Sequence, residues 1–103
     1  MHYRPLPREE LQRLKTELGY TNSQMAALFG VSTSGQFHKY LSDKEAREMG
    51  FHVLMYGMLG LALLRGISVT KVEQLHDLAR SYGAEIALDD PNKPQDAPGE
   101  PRS

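Results

Sequence analysis

The sequence predicts an all-α chain: a compact bundle of about five helices, with one short C-terminal strand as its only extended piece. Three observations carry this. Apolar residues recur at three- and four-residue spacing in five successive stretches. Those stretches are punctuated by helix signals, with proline, serine or threonine near their starts and glycine at most of their ends. Alternation of period two is confined to residues 84–88. A chain of 103 residues has room for one small domain, expected over residues 1–88 and followed by a tail at 89–103.

The first helix opens at Pro7, whose fixed φ suits the first helical position, and Glu9 and Glu10 lie where carboxylates complement the positive helix end. Leu11, Leu14 and Leu18 form its apolar stripe, and Gly19 stops it. The second begins with Thr21 and Gln24, a capping-box pair, and buries Met25, Ala26, Leu28 and Phe29 before Gly30 breaks it. Val31 follows as an apolar plug. The third starts from Ser32 as cap and turns Phe37, Tyr40 and Leu41 inward. The fourth runs from about residue 45 to residue 64. From Phe51 onward it is apolar nearly all round, which is more than a domain this small can wrap by itself.

The fifth helix is capped by Ser68, or by Thr70 with Glu73. It points Val72, Leu75, Leu78, Ala79 and Tyr82 inward, and Gly83 ends it. The alternation at 84–88 suits one strand, with pairing across a dimer as one arrangement. From Asp89 the chain holds four prolines and almost nothing apolar, so this acidic tail is expected to be disordered.

The absence of cysteine excludes a disulfide framework, a thiolate nucleophile and a thiolate metal site, and it fits a reducing cytoplasm. His2, His52 and His76 lack metal-ligand spacing, so no metal is expected. Gly57 and Gly60 read as close-packing positions: no strand precedes them and no phosphate-binding pattern follows, so no cofactor is expected. The paired acids Glu9-Glu10 and Asp89-Asp90 lie on a helix start and in the tail, and no nucleophile elbow is present. The chain is therefore expected not to be an enzyme. Its N-terminus lacks an apolar signal core, and the longest apolar run, Phe51–Leu64, falls short of the roughly 20 residues that span a bilayer. A cytoplasmic protein without membrane contact is expected.

Net charge is −1, which opposes a strongly basic nucleic-acid binder, but its distribution is uneven. Residues 1–44 carry six basic against four acidic side chains, +2; residues 45–88 four against five, −1; residues 89–103 two against four, −2. The positive excess lies in the half that holds residues 21–41.

Residues 21–41 meet the physical requirements of a helix-turn-helix: a capped first helix, a small residue where the helices touch, a glycine in the turn, an apolar plug and a capped second helix. The stretch Thr21-Asn-Ser-Gln-Met-Ala-Ala-Leu-Phe-Gly-Val-Ser32 resembles the Cro/C1-type, XRE-like helix-turn-helix regulators. Their pattern is matched at Thr21, Gln24, Ala26, Gly30, Val31 and Ser32. The specific match spans 12 residues, and about residues 7–64 with the flanking helices. One departure stands out. The apolar residue five positions after the turn valine in that family is Gln36 here, with Phe37 next to it. Either the third helix starts later, with Ser34 as its cap, or its rotation differs.

On both registers Thr33, Ser34, Gln36, His38 and Lys39 stay off the Phe37/Tyr40/Leu41 face and are the candidates to meet DNA, with Gln24, Ser32 and Lys44 beside them. Gln36 suits adenine, and Lys39 suits guanine or phosphate. Gln24 has a simpler role as a cap, while His38, Lys39 and Lys44 would also serve as solvated surface. Val53, Met55, Tyr56, Leu59 and Leu63 are the candidate dimer contacts. The resemblance implies a homodimeric, sequence-specific regulator of double-stranded DNA, usually a repressor. The competing expectation is a protein-interaction module, such as an antitoxin or a phage-encoded inhibitor, gripping a partner through its apolar helix or acidic tail.

Overall fold

The computed structural model describes residues 1–42 and 48–87. These form β1 (His2–Arg4), α1 (Arg8–Leu18), α2 (Asn22–Phe29), α3 (Ser34–Leu41), α4 (Phe51–Leu64), α5 (Val72–Ser81) and β2 (Glu85–Ala87). The architecture is the predicted five-helix bundle with its C-terminal strand. The tail expected to be disordered lies outside the described residues.

Pro7 stands just ahead of α1 instead of at its first helical position. Its backbone is extended (φ −56°, ψ 147°), while its carbonyl already accepts from the Glu10 and Leu11 amides at 3.0 Å each. Leu11 and Leu14 enter the core and Leu18 packs at its edge. There they meet Met25 and Phe29 of α2, Phe37 of α3, Leu54, Met58 and Leu61 of α4, and Ala79 of α5.

The start of α4 differs from expectation. Residues 48–50 are not helical, and extended Gly50 (φ −66°, ψ 158°) is the N-cap. The reason lies at Met49. Its side chain is 4% exposed and its carbonyl accepts a 2.6 Å hydrogen bond from the Tyr3 hydroxyl, so that carbonyl serves the tertiary structure instead of a helical ladder. Burial pushes the Tyr3 hydroxyl well above the ordinary phenol range, and the Glu48 carboxylate adds to this, so Tyr3 remains a donor.

One face of α4 buries Leu54, Gly57, Met58, Leu61 and Ala62. Gly57 and Gly60 are close-packing positions: a Cβ on Gly57 would lie 2.1 Å from the Phe29 ring, and one on Gly60 2.7 Å from Leu28 Cδ1. These glycines let α2 approach α4 backbone to side chain. The helix carries no Asp, Glu, Lys or Arg on any face. Outward, Tyr56 (57%) and Leu63 (64%) are exposed, whereas Val53, Met55 and Leu59 are half-buried.

Around α5 the cap and the inward set both change. Gln74, not Glu73, closes the N-terminus, its Oε1 accepting from the Thr70 and Lys71 amides at 2.7 and 2.9 Å. Lys71 occupies the cap position. Leu75, Ala79 and Tyr82 are buried as expected and Leu78 is half-buried, but Val72 is 60% exposed because it stands at the open first turn. His76 is buried instead, its ring 5.8 Å from that of Phe51. At the far ends of the two helices, Arg65 donates to the Tyr82 hydroxyl.

The strand at 85–87 pairs within the chain, not across a dimer. Gly83 takes a left-handed φ of +97° and turns the chain back, where a Cβ would meet Pro7 Cδ at 3.1 Å. β2 then runs antiparallel to β1 in the register His2↔Ala87, Tyr3↔Ile86, Arg4↔Glu85. Arg80 fastens it to α5, donating from Nε and Nη2 to the Ile86 carbonyl at 3.2 and 2.7 Å. β1 is an addition to the expected elements, since a strand of three residues is too short to show alternation. No described helix is long and apolar enough to cross a membrane.

Candidate nucleic-acid interface

The α2–turn–α3 unit is built from local chemistry that the sequence spells out. Thr21 Oγ1 accepts from the Gln24 amide at 3.2 Å, and Gln24 Oε1 accepts from the Thr21 amide at 2.8 Å, so two orphan donors are closed reciprocally. At the other end Gly30 adopts φ +69°, and the Val31 amide reaches back to the Ala26 carbonyl at 2.8 Å. Glycine is required there twice over. The left-handed φ disfavours a side chain, and a Cβ would lie 3.0 Å from the Tyr56 ring of α4. Ala26, 3% exposed, is small at a crowded contact, and Val31 packs half-buried against the core.

The register of α3 falls between the two readings of the sequence. Neither Ser32 nor Ser34 is the cap; Thr33 is, with extended backbone (φ −140°, ψ 157°) and its Oγ1 accepting from the Gln36 amide at 3.1 Å. Burial of Phe37 decides this. That residue is fully buried, its ring tilted by 33° to that of Phe29 with centroids 5.8 Å apart and edge-on to Tyr40 at 5.9 Å. With Phe37 locked inward, its neighbour Gln36 must face out.

Of the candidate DNA contacts, Gln24, Ser32, Thr33, Ser34, Gln36 and His38 are exposed and Lys39 is half-buried. Lys44 lies outside the described residues. Ser34, Gln36, His38 and Lys39 belong to α3, with Ser32 and Thr33 in the turn before it; Gln24 opens α2. Four of these side chains already have intramolecular partners: Gln24 in its capping box, Thr33 as the cap of α3, and Ser32 with Gln36, whose Oε1 accepts from the Ser32 hydroxyl at 3.2 Å.

Compared with protein-family models, curated proteins and solved structures, the chain matches none of them. Its own electrostatics add one feature that net charge conceals. Between Glu17 and Asp43 the chain has no carboxylate at all, so α2, the turn and α3 present neutral hydrogen-bonding groups with His38 and Lys39. A polyanion approaching this unit meets no negative side chain from it. Helix N-termini, whose amides carry partial positive charge, add to the same sign. A scan for acid-free runs would have found this signal; summing charge over 44 residues dilutes it with Glu9, Glu10, Glu17 and Asp43.

Proposed function

We propose that this chain is a sequence-specific double-stranded-DNA-binding regulator, acting as a homodimer, with α3 as the reading helix. The observation that carries the proposal is the combination of a helix-turn-helix with an acid-free exposed surface on α3 and the turn before it, bearing Ser32, Thr33, Ser34, Gln36 and His38. The inner face of that helix is pinned by Phe37, so base contacts would be made by side chains on a fixed scaffold. The resemblance to Cro/C1-type regulators adds repression as the expected output and a cytoplasmic setting. On this reading the chain binds and does not catalyse.

A two-fold dimer would place two α3 helices in successive major grooves. The outward face of α4 supports self-association: Tyr56, Leu63 and Leu64 are each more than half exposed on a helix with no charged residue. Leu63→Glu is expected to give monomers at tens of micromolar by light scattering, where the wild type is dimeric; a wild-type monomer refutes this part. The same face favours the second reading, a module that binds another protein. Duplex titrations separate the two. Gln36→Ala should cost about 1 to 3 kcal/mol on the preferred site and little on scrambled DNA. Lys39→Ala should weaken all duplexes alike and lower the salt slope by about one per copy. Absence of wild-type binding to any duplex at low salt refutes the DNA reading.

A further inference from the structure

Three of the described helices place glutamine at the third helical position, and the three amides are engaged differently. Gln24 of α2 accepts from the Thr21 amide at 2.8 Å. Gln74 of α5 accepts from the Thr70 and Lys71 amides and donates to the Ser68 carbonyl at 3.0 Å. Both close backbone groups at their own helix start. Gln36 has the same position in α3, yet its carbonyl oxygen accepts from the Ser32 hydroxyl at 3.2 Å. Ser32 has that hydroxyl to offer because Thr33 has taken over the cap.

We propose that Ser32 is a positioning residue for base readout: its hydroxyl holds the exposed Gln36 amide at the start of α3 in the pose that reads adenine. This rests on the DNA-binding reading above. A glutamine amide has two carbonyl lone pairs and two N–H donors. Ser32 occupies one lone pair. The other is left to accept from adenine N6 while an N–H donates to N7, the bidentate pairing that distinguishes adenine in the major groove. An unrestrained glutamine loses more side-chain freedom on binding than one already held. The hydroxyl therefore raises the selectivity of Gln36 without touching DNA, and a hydroxyl, unlike a capping backbone amide, leaves Gln36 free of helix-closing duty.

The test uses the duplex that the wild type selects from a random-sequence library, together with all its single-base-pair variants, at one fixed salt concentration. Gln36→Ala identifies the A·T pair that Gln36 reads. Ser32→Ala is expected to lower discrimination at that pair by about three- to tenfold, with other positions unchanged. Ser32→Thr, which keeps the hydroxyl, should retain it. In the Gln36→Ala background Ser32→Ala should have no further effect. Equal weakening of every duplex would make Ser32 a phosphate contact and overturn the proposal. So would unchanged discrimination in Ser32→Ala, an undiminished effect without Gln36, or a lowered melting temperature that put Ser32 in the cap. If the wild type selects no duplex, the DNA reading fails and this one with it. If Gln36→Ala loses a base pair and Ser32→Ala does not, this one fails alone.

Discussion

Replacing Gly57 with alanine tests how α2 sits on α4. The residue is interior to α4, where alanine is favoured over glycine by about 1 kcal/mol on helix propensity alone. Packing opposes the gain. The new methyl would lie 2.1 Å from Phe29 Cδ1 and Cε1 and 2.8 Å from Cγ, whereas ordinary carbon contacts are about 3.5 to 4 Å, so the ring must retreat by roughly 1.5 Å. Phe29 is 1% exposed and packs, tilted, against the fully buried Phe37, so it has no free direction, and its movement disturbs α3. Overpacking of this kind costs about 1 to 3 kcal/mol, and a confined ring puts it at the upper end. The net expectation is a loss of about 2 kcal/mol and a fall in Tm of about 8 to 16 °C. Gly60→Ala is the control. Its methyl would meet Leu28 Cδ1 at 2.7 Å, the tip of a half-buried side chain that can rotate, so its effect should stay within about 1 kcal/mol. Urea unfolding followed by circular dichroism measures both variants. A Gly57→Ala protein as stable as the wild type, or more stable than Gly60→Ala, would refute the close approach of α2 to α4.

Tyr3→Phe should cost about 1 to 2 kcal/mol in the same assay, because it leaves the Met49 carbonyl without its hydroxyl donor. Thr33→Ala should cost about 1 kcal/mol through the lost α3 cap, while Ser32→Ala leaves stability unchanged; the reverse order would move the cap. The Glu85 carboxyl is held below its ordinary value by its 2.7 Å hydrogen bond to His2, with Arg4 adding to the effect. Its contribution to the β1–β2 pair is present above the unfolded carboxyl pKa and fades as pH falls through the lowered folded one. His2→Ala should bring the Glu85 carboxyl back toward its ordinary value in an NMR titration, and an unchanged titration would refute that contact.

Much of this fold is legible in the linear sequence because helix ends and faces are local matters. Thr21 with Gln24, Gly30 with Val31, and the leucines of α1 lie within a turn or two of the groups they serve, so spacing alone reveals them. The close-packing role of Gly57 and Gly60 was legible too, though not their partners Phe29 and Leu28, which lie about thirty residues away. The features that were missed depend on distant contacts. β1 exists because Gly83 turns the chain home to Pro7, and α4 starts at Phe51 because Tyr3 claims the Met49 carbonyl. His76 takes an inward place that Val72 was expected to fill, a choice made by the ends of neighbouring helices.

The candidate site divides in the same way. That residues 21–41 form two capped helices around a glycine turn is legible in the linear chain, since capping and left-handed glycine are energies of single residues and their near neighbours. The rotation of α3 is set by packing between elements. Three hydroxyls, Ser32, Thr33 and Ser34, compete for one cap at similar local energy. Burial of the Phe37 ring between Phe29 and Tyr40 selects among them, which sets Thr33 as the cap, turns Gln36 outward and leaves Ser32 to hold it. A local near-degeneracy was resolved by a hydrophobic contact that sequence spacing does not encode.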